Sequence, residues 1–111
     1  MTSINDGRRL RIYVCEGDAF GGRPLDEAIV DVLRAHGVGG ATVLRGVAGY
    51  GGSAALHTAQ VLRLSEDLPV IVEVIDAKER IDAVLPVLES MIGDGLITLE
   101  PVEIRVLRRT E

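Results

Sequence analysis

Two apolar runs, Ala41 to Ala48 and Leu68 to Ile75, are separated by about twenty residues that open on glycines at 49, 51 and 52. That spacing constrains the fold more than any other feature of the chain. Each run has the β-branched and aliphatic content of a strand. A tight hairpin, however, needs only about two to five connecting residues. Connections as long as this one, inside a compact domain, are usually functional or disordered. Segment 48–67 is therefore where function is expected. Its glycines carry high backbone entropy, so residues from Gly49 to Ser65 are expected to move more than the strands. Leu56, Val61, Leu62 and Leu64 oppose this, and would let part of the segment form a short helix or pack on a neighbour.

The remaining segments fit around these two strands. Residues 1–8 are polar and read as a flexible N-terminus, leaving 9–111 as a single domain. Arg9 to Cys15 alternates, with Leu10, Ile12 and Val14 on one face and Arg9, Arg11 and Tyr13 on the other, which predicts a half-buried first strand. Gly17 to Arg23 reads as a loop. Pro24, Asp26 and Glu27 suit a helix start, and Leu25, Ala28, Ile29, Val32 and Leu33 form one stripe that ends at His36-Gly37. Leu68 to Ile75 is apolar at both parities except Glu73, as in a central strand covered on both faces. Asp76 is the expected N-cap of a second helix whose core stripe is Ile81, Val84, Leu85 and Leu88, with Pro86 expected to kink it. The helix closes at Gly93, and a last strand, interrupted by Pro101, is expected to be an edge or bent. The fold class is α+β: a ferredoxin-like βαββαβ sandwich, an antiparallel sheet with both helices on one face. No helix remains for the other face, so the chain is expected to associate with copies of itself under cyclic symmetry.

Composition narrows the function. The formal net charge of −5 argues against nucleic-acid binding, which calls for a basic stripe. No apolar run spans a membrane and no signal-peptide pattern opens the chain. A single cysteine excludes an internal disulfide and fits a reducing cytoplasm. Cys15 reads as a small buried packing residue.

Glycines 49, 51 and 52 leave backbone amides that can form a nest for an anion, and Gly93-Asp94-Gly95 is a second such turn. Arg45 beside Gly46, and Arg105, Arg108 and Arg109 near the C-terminus, are suited to bidentate phosphate binding. With Tyr50, these residues make the candidate ligand site. The opposing reading takes the glycines as plain turns and Arg108-Arg109 as a solvated tail. No catalytic or metal-ligating set assembles: His57 lacks a paired acid, Ser53, Ser65 and Ser90 lie in no nucleophile motif, and Glu66-Asp67 reads as solvated charge. The chain is therefore expected not to be an enzyme.

The blocks Leu10-Arg-Ile-Tyr13, Pro24-Leu25, Gly40-Ala-Thr-Val-Leu-Arg-Gly46, Gly49-Tyr-Gly51, His57-Thr-Ala59, Leu64-Ser-Glu-Asp-Leu-Pro69 and Gly95-Leu-Ile-Thr-Leu99 resemble the small PII-like proteins of bacteria and archaea often linked to fluoride-exporter genes. The resemblance spans about residues 9–106 and implies a trimeric ferredoxin-like fold. It implies, too, a regulatory role, with a membrane transporter or channel or another protein as target, reached through the 48–67 loop. More distantly, Gly49-Tyr-Gly-Gly-Ser53, Ile92-Gly-Asp-Gly-Leu96 and Arg105 to Arg109 are similar to the three segments with which PII signalling proteins bind adenine nucleotides between subunits. An adenine nucleotide is thus the implied effector. Leu96 stands where those proteins carry a basic residue, and Ser53 where they carry a glutamine, so ATP with oxoglutarate is not implied. Two alternatives stay open: a metal-binding trimer resembling CutA, and a small ferredoxin-like hydrolase such as an acylphosphatase. The latter needs an asparagine where this chain has only Asn5 in its tail.

Overall fold

The computed structural model describes residues 2–49 and 68–109. In chain order these form strand β1 (Thr2–Cys15), a short hairpin of β2 (Ala19–Phe20) and β3 (Arg23–Pro24), helix α1 (Leu25–Ala35), strands β4 (Ala41–Arg45) and β5 (Pro69–Ala77), helix α2 (Lys78–Met91) and strand β6 (Leu96–Val106). The four long strands make one antiparallel sheet in the order β4-β5-β1-β6. Without the small hairpin this is the ferredoxin-like βαββαβ sandwich.

The alternation of the two central strands builds the core. Leu10, Ile12 and Val14 of β1 and Val70, Val72 and Val74 of β5 point to one face, where α1 supplies Leu25, Ala28, Ile29 and Leu33 and α2 supplies Ile81, Val84, Leu88 and Met91. Ten of these side chains are fully buried, each contributing about 1.5–3 kcal/mol relative to exposure. Val32 and Leu85 sit half-buried at the core margin. Helix α2 carries Pro86 on its exposed side and runs on to Met91.

Among the described residues, no helix lies on the opposite face of the sheet. Its register aligns Leu44, Ile71, Tyr13 and Leu96 in one row across all four strands. The next row is polar: Thr42, Glu73, Arg11 and Thr98. Arg11 Nε donates to Glu73 Oε2 at 2.7 Å, and this bond raises the Arg11 pKa above its ordinary value. In the third row Arg9 lies between Ile75 and Glu100 and donates to Glu100. Leu44, Ile75 and Leu96 are 44–57% exposed. Among the described residues, strand β5 is thus covered on one face only, rather than on both.

Several boundaries differ from the sequence expectation. β1 starts at Thr2 and not Arg9, because Thr2, Ser3 and Ile4 pair with Val106, Arg105 and Ile104 of β6. An irregularity between Ile4 and Gly7 shifts the register there, and Ile104 packs where a Cβ on Gly7 would stand. Gly17 to Arg23 holds a hairpin: Gly21 and Gly22, at φ 60° and 81°, make the two-residue turn that β2 and β3 need. Asp76 is not the N-cap of α2. It belongs to β5, pairs with Arg8, and accepts from the amides of Gly39 (2.9 Å) and Ala77 (2.7 Å), with Ala77 in the cap position. Strand β4 ends at Arg45 rather than Ala48, where Gly46 turns its N–H to Pro69 O at 2.8 Å. Cys15 is half-buried at the end of β1, not buried. As expected, β6 is an edge strand, and it passes through Pro101 unbroken.

Candidate functional site

One end of the sheet gathers the end of β4, the start of β5, the end of β1 and the start of β6. The pairs Arg45↔Val70, Cys15↔Pro69 and Tyr13↔Leu96 fix this arrangement. Both glycine turns therefore lie at the same end. They sit on opposite edges, about 14 Å apart at three interstrand spacings. Tyr50, Gly51, Gly52 and the rest of the loop segment, with the mobility expected of it, fall outside the described residues.

The glycines that are described have distinct reasons to be glycine. A Cβ on Gly46 would lie 2.6 Å from Pro69 Cγ, so the proline ring occupies the space a side chain would need. Gly49 backs onto the same ring. A Cβ on Gly95 would lie 2.8 Å from Ile92 Cγ2 and 2.9 Å from the Tyr13 carbonyl oxygen. Gly93 has nothing within 4 Å of that position, and both Gly93 and Asp94 are exposed. Close packing explains Gly46 and Gly95, while the Gly93-Asp94 turn is the part open to a ligand.

Arg45 is committed to carboxylates. Nη1 donates to Glu16 Oε2 at 3.1 Å and Nη2 to Asp26 Oδ2 at 3.2 Å. Asp26 is the buried charged residue of the described chain, 7% exposed. The β4 register puts Arg45 on the helix side with Ala41 and Val43, where an arginine must find an anion. Sequence reasoning took Asp26 only as a helix-start residue and missed Glu16. The signal was the odd parity of Arg45 in β4. Arg45→Ala is expected to destabilise by about 1–3 kcal/mol, because Asp26 stays buried without its partner. Glu16→Ala, which leaves the Arg45–Asp26 bond, should cost less than about 1 kcal/mol. Urea unfolding of the two variants checks the order, and equal costs would show that Asp26 is satisfied elsewhere.

The remaining arginines lie at the other end of the sheet. Strand β6 carries the chain eleven residues away from Gly95 before Val106, roughly 33 Å. Arg105 pairs with Glu103 at 3.5 Å, and Arg108 and Arg109 are exposed beyond the strand. A single chain thus brings Gly46, Gly49 and Arg45 together on one edge and Gly93, Asp94 and Gly95 on the other. It does not bring Arg105, Arg108 or Arg109 to either.

Residues 7–104 match the model of the DUF190 family, described as Uncharacterized ACR. A UPF0166 protein of Aquifex aeolicus is 38% identical over 95 residues, covering 86% of this chain and 90% of its own. A UPF0166 protein of Methanocaldococcus jannaschii is 42% identical over 91 residues, covering 81% and 83%. Among solved structures, a putative PII-like signaling protein from Thermus thermophilus superposes with a TM-score of 0.61 at 19% identity, over 94% of this chain and 93% of that one. CPII, a nitrogen regulatory PII-like protein from Thiomonas intermedia bound to ADP, AMP and bicarbonate, gives 0.57 at 15% identity, over 96% and 100%. The two solved structures carry the fold, and the first three likenesses carry the kinship: the chain belongs to the DUF190 (UPF0166) family of small proteins with the PII-like fold.

Proposed function

We propose that this protein is a regulatory binding module and not an enzyme: a homotrimer that senses an adenine nucleotide or similar anion between subunits and acts on a partner protein through segment 48–67. The partner class is a membrane transporter or channel or another protein target. The observation that carries the proposal is the apolar row Leu44–Ile71–Tyr13–Leu96 on the face of the sheet away from the two described helices. Apolar side chains aligned across a whole sheet mark an association surface. Ligand sensing draws support from the PII-like neighbour bound to ADP and AMP and from the open Gly93-Asp94 turn. Subunit association is what would supply Arg105, Arg108 and Arg109 to the glycine turns, since one chain keeps them apart. The described serine and histidine hydrogen bonds are local ones, His36 with the Val32 carbonyl and Ser90 with the Val87 carbonyl, which favours binding over nucleophilic chemistry.

Calorimetry with ATP, ADP, AMP and cyclic nucleotides tests the ligand. Hydrogen bonds to a charged phosphate contribute about 1.5–3 kcal/mol each. Arg108→Ala should therefore weaken nucleotide binding roughly tenfold or more. Leu96 predicts weaker triphosphate binding than PII proteins show. If no nucleotide binds below millimolar and Arg108→Ala changes nothing, the nucleotide reading fails and a purely protein-directed role replaces it.

A further inference from the structure

Arg45 holds two carboxylates on unequal terms. Asp26 lies in the first turn of α1, where the helix end favours its charge, and it is buried. A buried carboxylate needs a cation, so the Arg45–Asp26 bond is the one the fold depends on. Glu16 is the opposite case. It follows the last residue of β1, and its side chain is 27% exposed against an Arg45 side chain 50% exposed. An ion pair so open to water contributes little to stability. The Glu16 main chain is held independently, since its N–H donates to Leu68 O at 2.9 Å. Its carboxylate is therefore free to leave Arg45 without moving the backbone. Among the described residues, two of the five guanidinium N–H donors are engaged, one by each carboxylate.

The surroundings decide what can take the place of Glu16. Arg45 stands at the end of the sheet that also holds the glycine turns, as the pairs Arg45↔Val70 and Cys15↔Pro69 show. Asp26 lines a cleft of about 210 Å³ between α1 and β4, with Arg23, Glu27 and Asp31. Arg23 is bound to Asp31 at 2.7 Å and lies 3.8 Å from Glu27, so its charge is balanced locally. Four carboxylates thus stand about two guanidinium groups. A doubly charged phosphate, or a polyphosphate, arriving at Arg45 meets that negative field. A singly charged oxyanion exchanges one carboxylate-like group for another and leaves the local balance as it was.

We infer that the Glu16 carboxylate is an internal competitor at Arg45. A singly charged oxyanion of a ligand, a carboxylate or a phosphodiester, takes its place on Nη1. Asp26 keeps Nη2, so the guanidinium stays where it is and presents the same donor to the incoming group. Asp26 is then a positioning residue, and Glu16 sets the concentration at which the ligand binds. Phosphomonoesters and polyphosphates are turned away from Arg45 and find their cations elsewhere. The inference rests on the reading of Arg45 as part of the ligand site, and not on the ligand being a nucleotide.

Titration of the full chain with sodium acetate, at an ionic strength held constant with sodium chloride, tests this. The readout is the Nε–H resonance of Arg45 in heteronuclear NMR, assigned by its loss in Arg45→Lys. Glu16→Gln should bind acetate roughly tenfold more tightly than the unaltered chain. Glu27→Gln removes a charge that is not bound to Arg45, and should change the affinity by less than about threefold. Dimethyl phosphate should follow acetate, and pyrophosphate should bind more weakly than either. No gain in Glu16→Gln, or an equal gain in Glu27→Gln, overturns the internal competitor. Pyrophosphate as the tightest binder overturns the selection by charge. If Glu16→Gln folds badly, Glu16→Asp decides. It keeps the charge, withdraws the carboxylate by one methylene and should still gain about threefold; no gain there refutes the proposal. Calorimetry with ADP and AMP on the same variants separates this from the wider reading. Nucleotide binding without any acetate response would sink the competitor alone, and an acetate response without nucleotide binding would leave it standing.

Discussion

Replacing Ile71 with glutamate is expected to abolish the proposed subunit association and leave folded monomers. Ile71 lies between Leu44 and Tyr13 in the apolar row, on the face away from the core. A new carboxylate there would be buried by any partner covering the face, with Glu73 two residues along on the same side. An uncompensated buried charge costs about 3–5 kcal/mol. At about 1.4 kcal/mol per tenfold, the dissociation constant should rise more than a hundredfold. Light scattering over micromolar concentrations measures the mass, and circular dichroism reports the retained helices. Ile71→Leu is the control that keeps the volume and should keep the assembly. A glutamate variant that stays assembled would show that the open face is not the association surface.

Gly95→Val is expected to destabilise the fold by about 1–3 kcal/mol or more, whereas Gly93→Ala, two residues earlier, should stay within about 0.5 kcal/mol. The contrast follows from what a side chain would meet. At Gly95 it meets the Tyr13 carbonyl, which is backbone in the middle of the sheet and cannot rotate away. At Gly93 it meets nothing. Denaturant midpoints of the two variants provide the comparison. Equal, small effects would mean that β6 can shift away from β1 at its start, and that Gly95 is conformational rather than packed.

What the sequence disclosed depended on whether a residue's surroundings leave a periodic trace. Leu10, Ile12 and Val14 recur at two residues, and Leu25, Ala28, Ile29 and Leu33 recur at helical spacing, because each set faces a continuous apolar layer. The sandwich could be read from them. Thr2 to Arg8 left no such trace: Thr2, Ser3 and Ile4 pair with β6 beyond the end of the β5 ladder, and the irregularity before Gly7 breaks the parity. Asp76 looked like a helix cap because its chemistry suits one, but the ladder to β1 continues through Ala77 and claims it. At the site, glycine shows in a sequence while its reason does not. Gly46 is shaped by Pro69 and Gly95 by Tyr13, contacts made across the sheet. The partners of Arg45 were hidden likewise, since Asp26 is nineteen positions away and Glu16 twenty-nine.

The placing of β1 at the centre of the sheet has a consequence for how the chain is made. It leaves the ribosome ahead of its partners: β5 comes late and Glu100, which bonds Arg9, is 91 positions away. Pairings so distant in sequence slow folding, because loop-closure entropy is lost before any contact rewards it. Until then both long edges of β1 are bare, and the strand exposes Leu10, Ile12 and Val14 to other nascent copies. Arg8, Arg9 and Arg11 flank and interleave that apolar face. In the finished molecule they bond Asp6, Glu100 and Glu73. Before Glu73 and Glu100 arrive, the charges of Arg9 and Arg11 repel a second nascent strand and act as gatekeepers against aggregation.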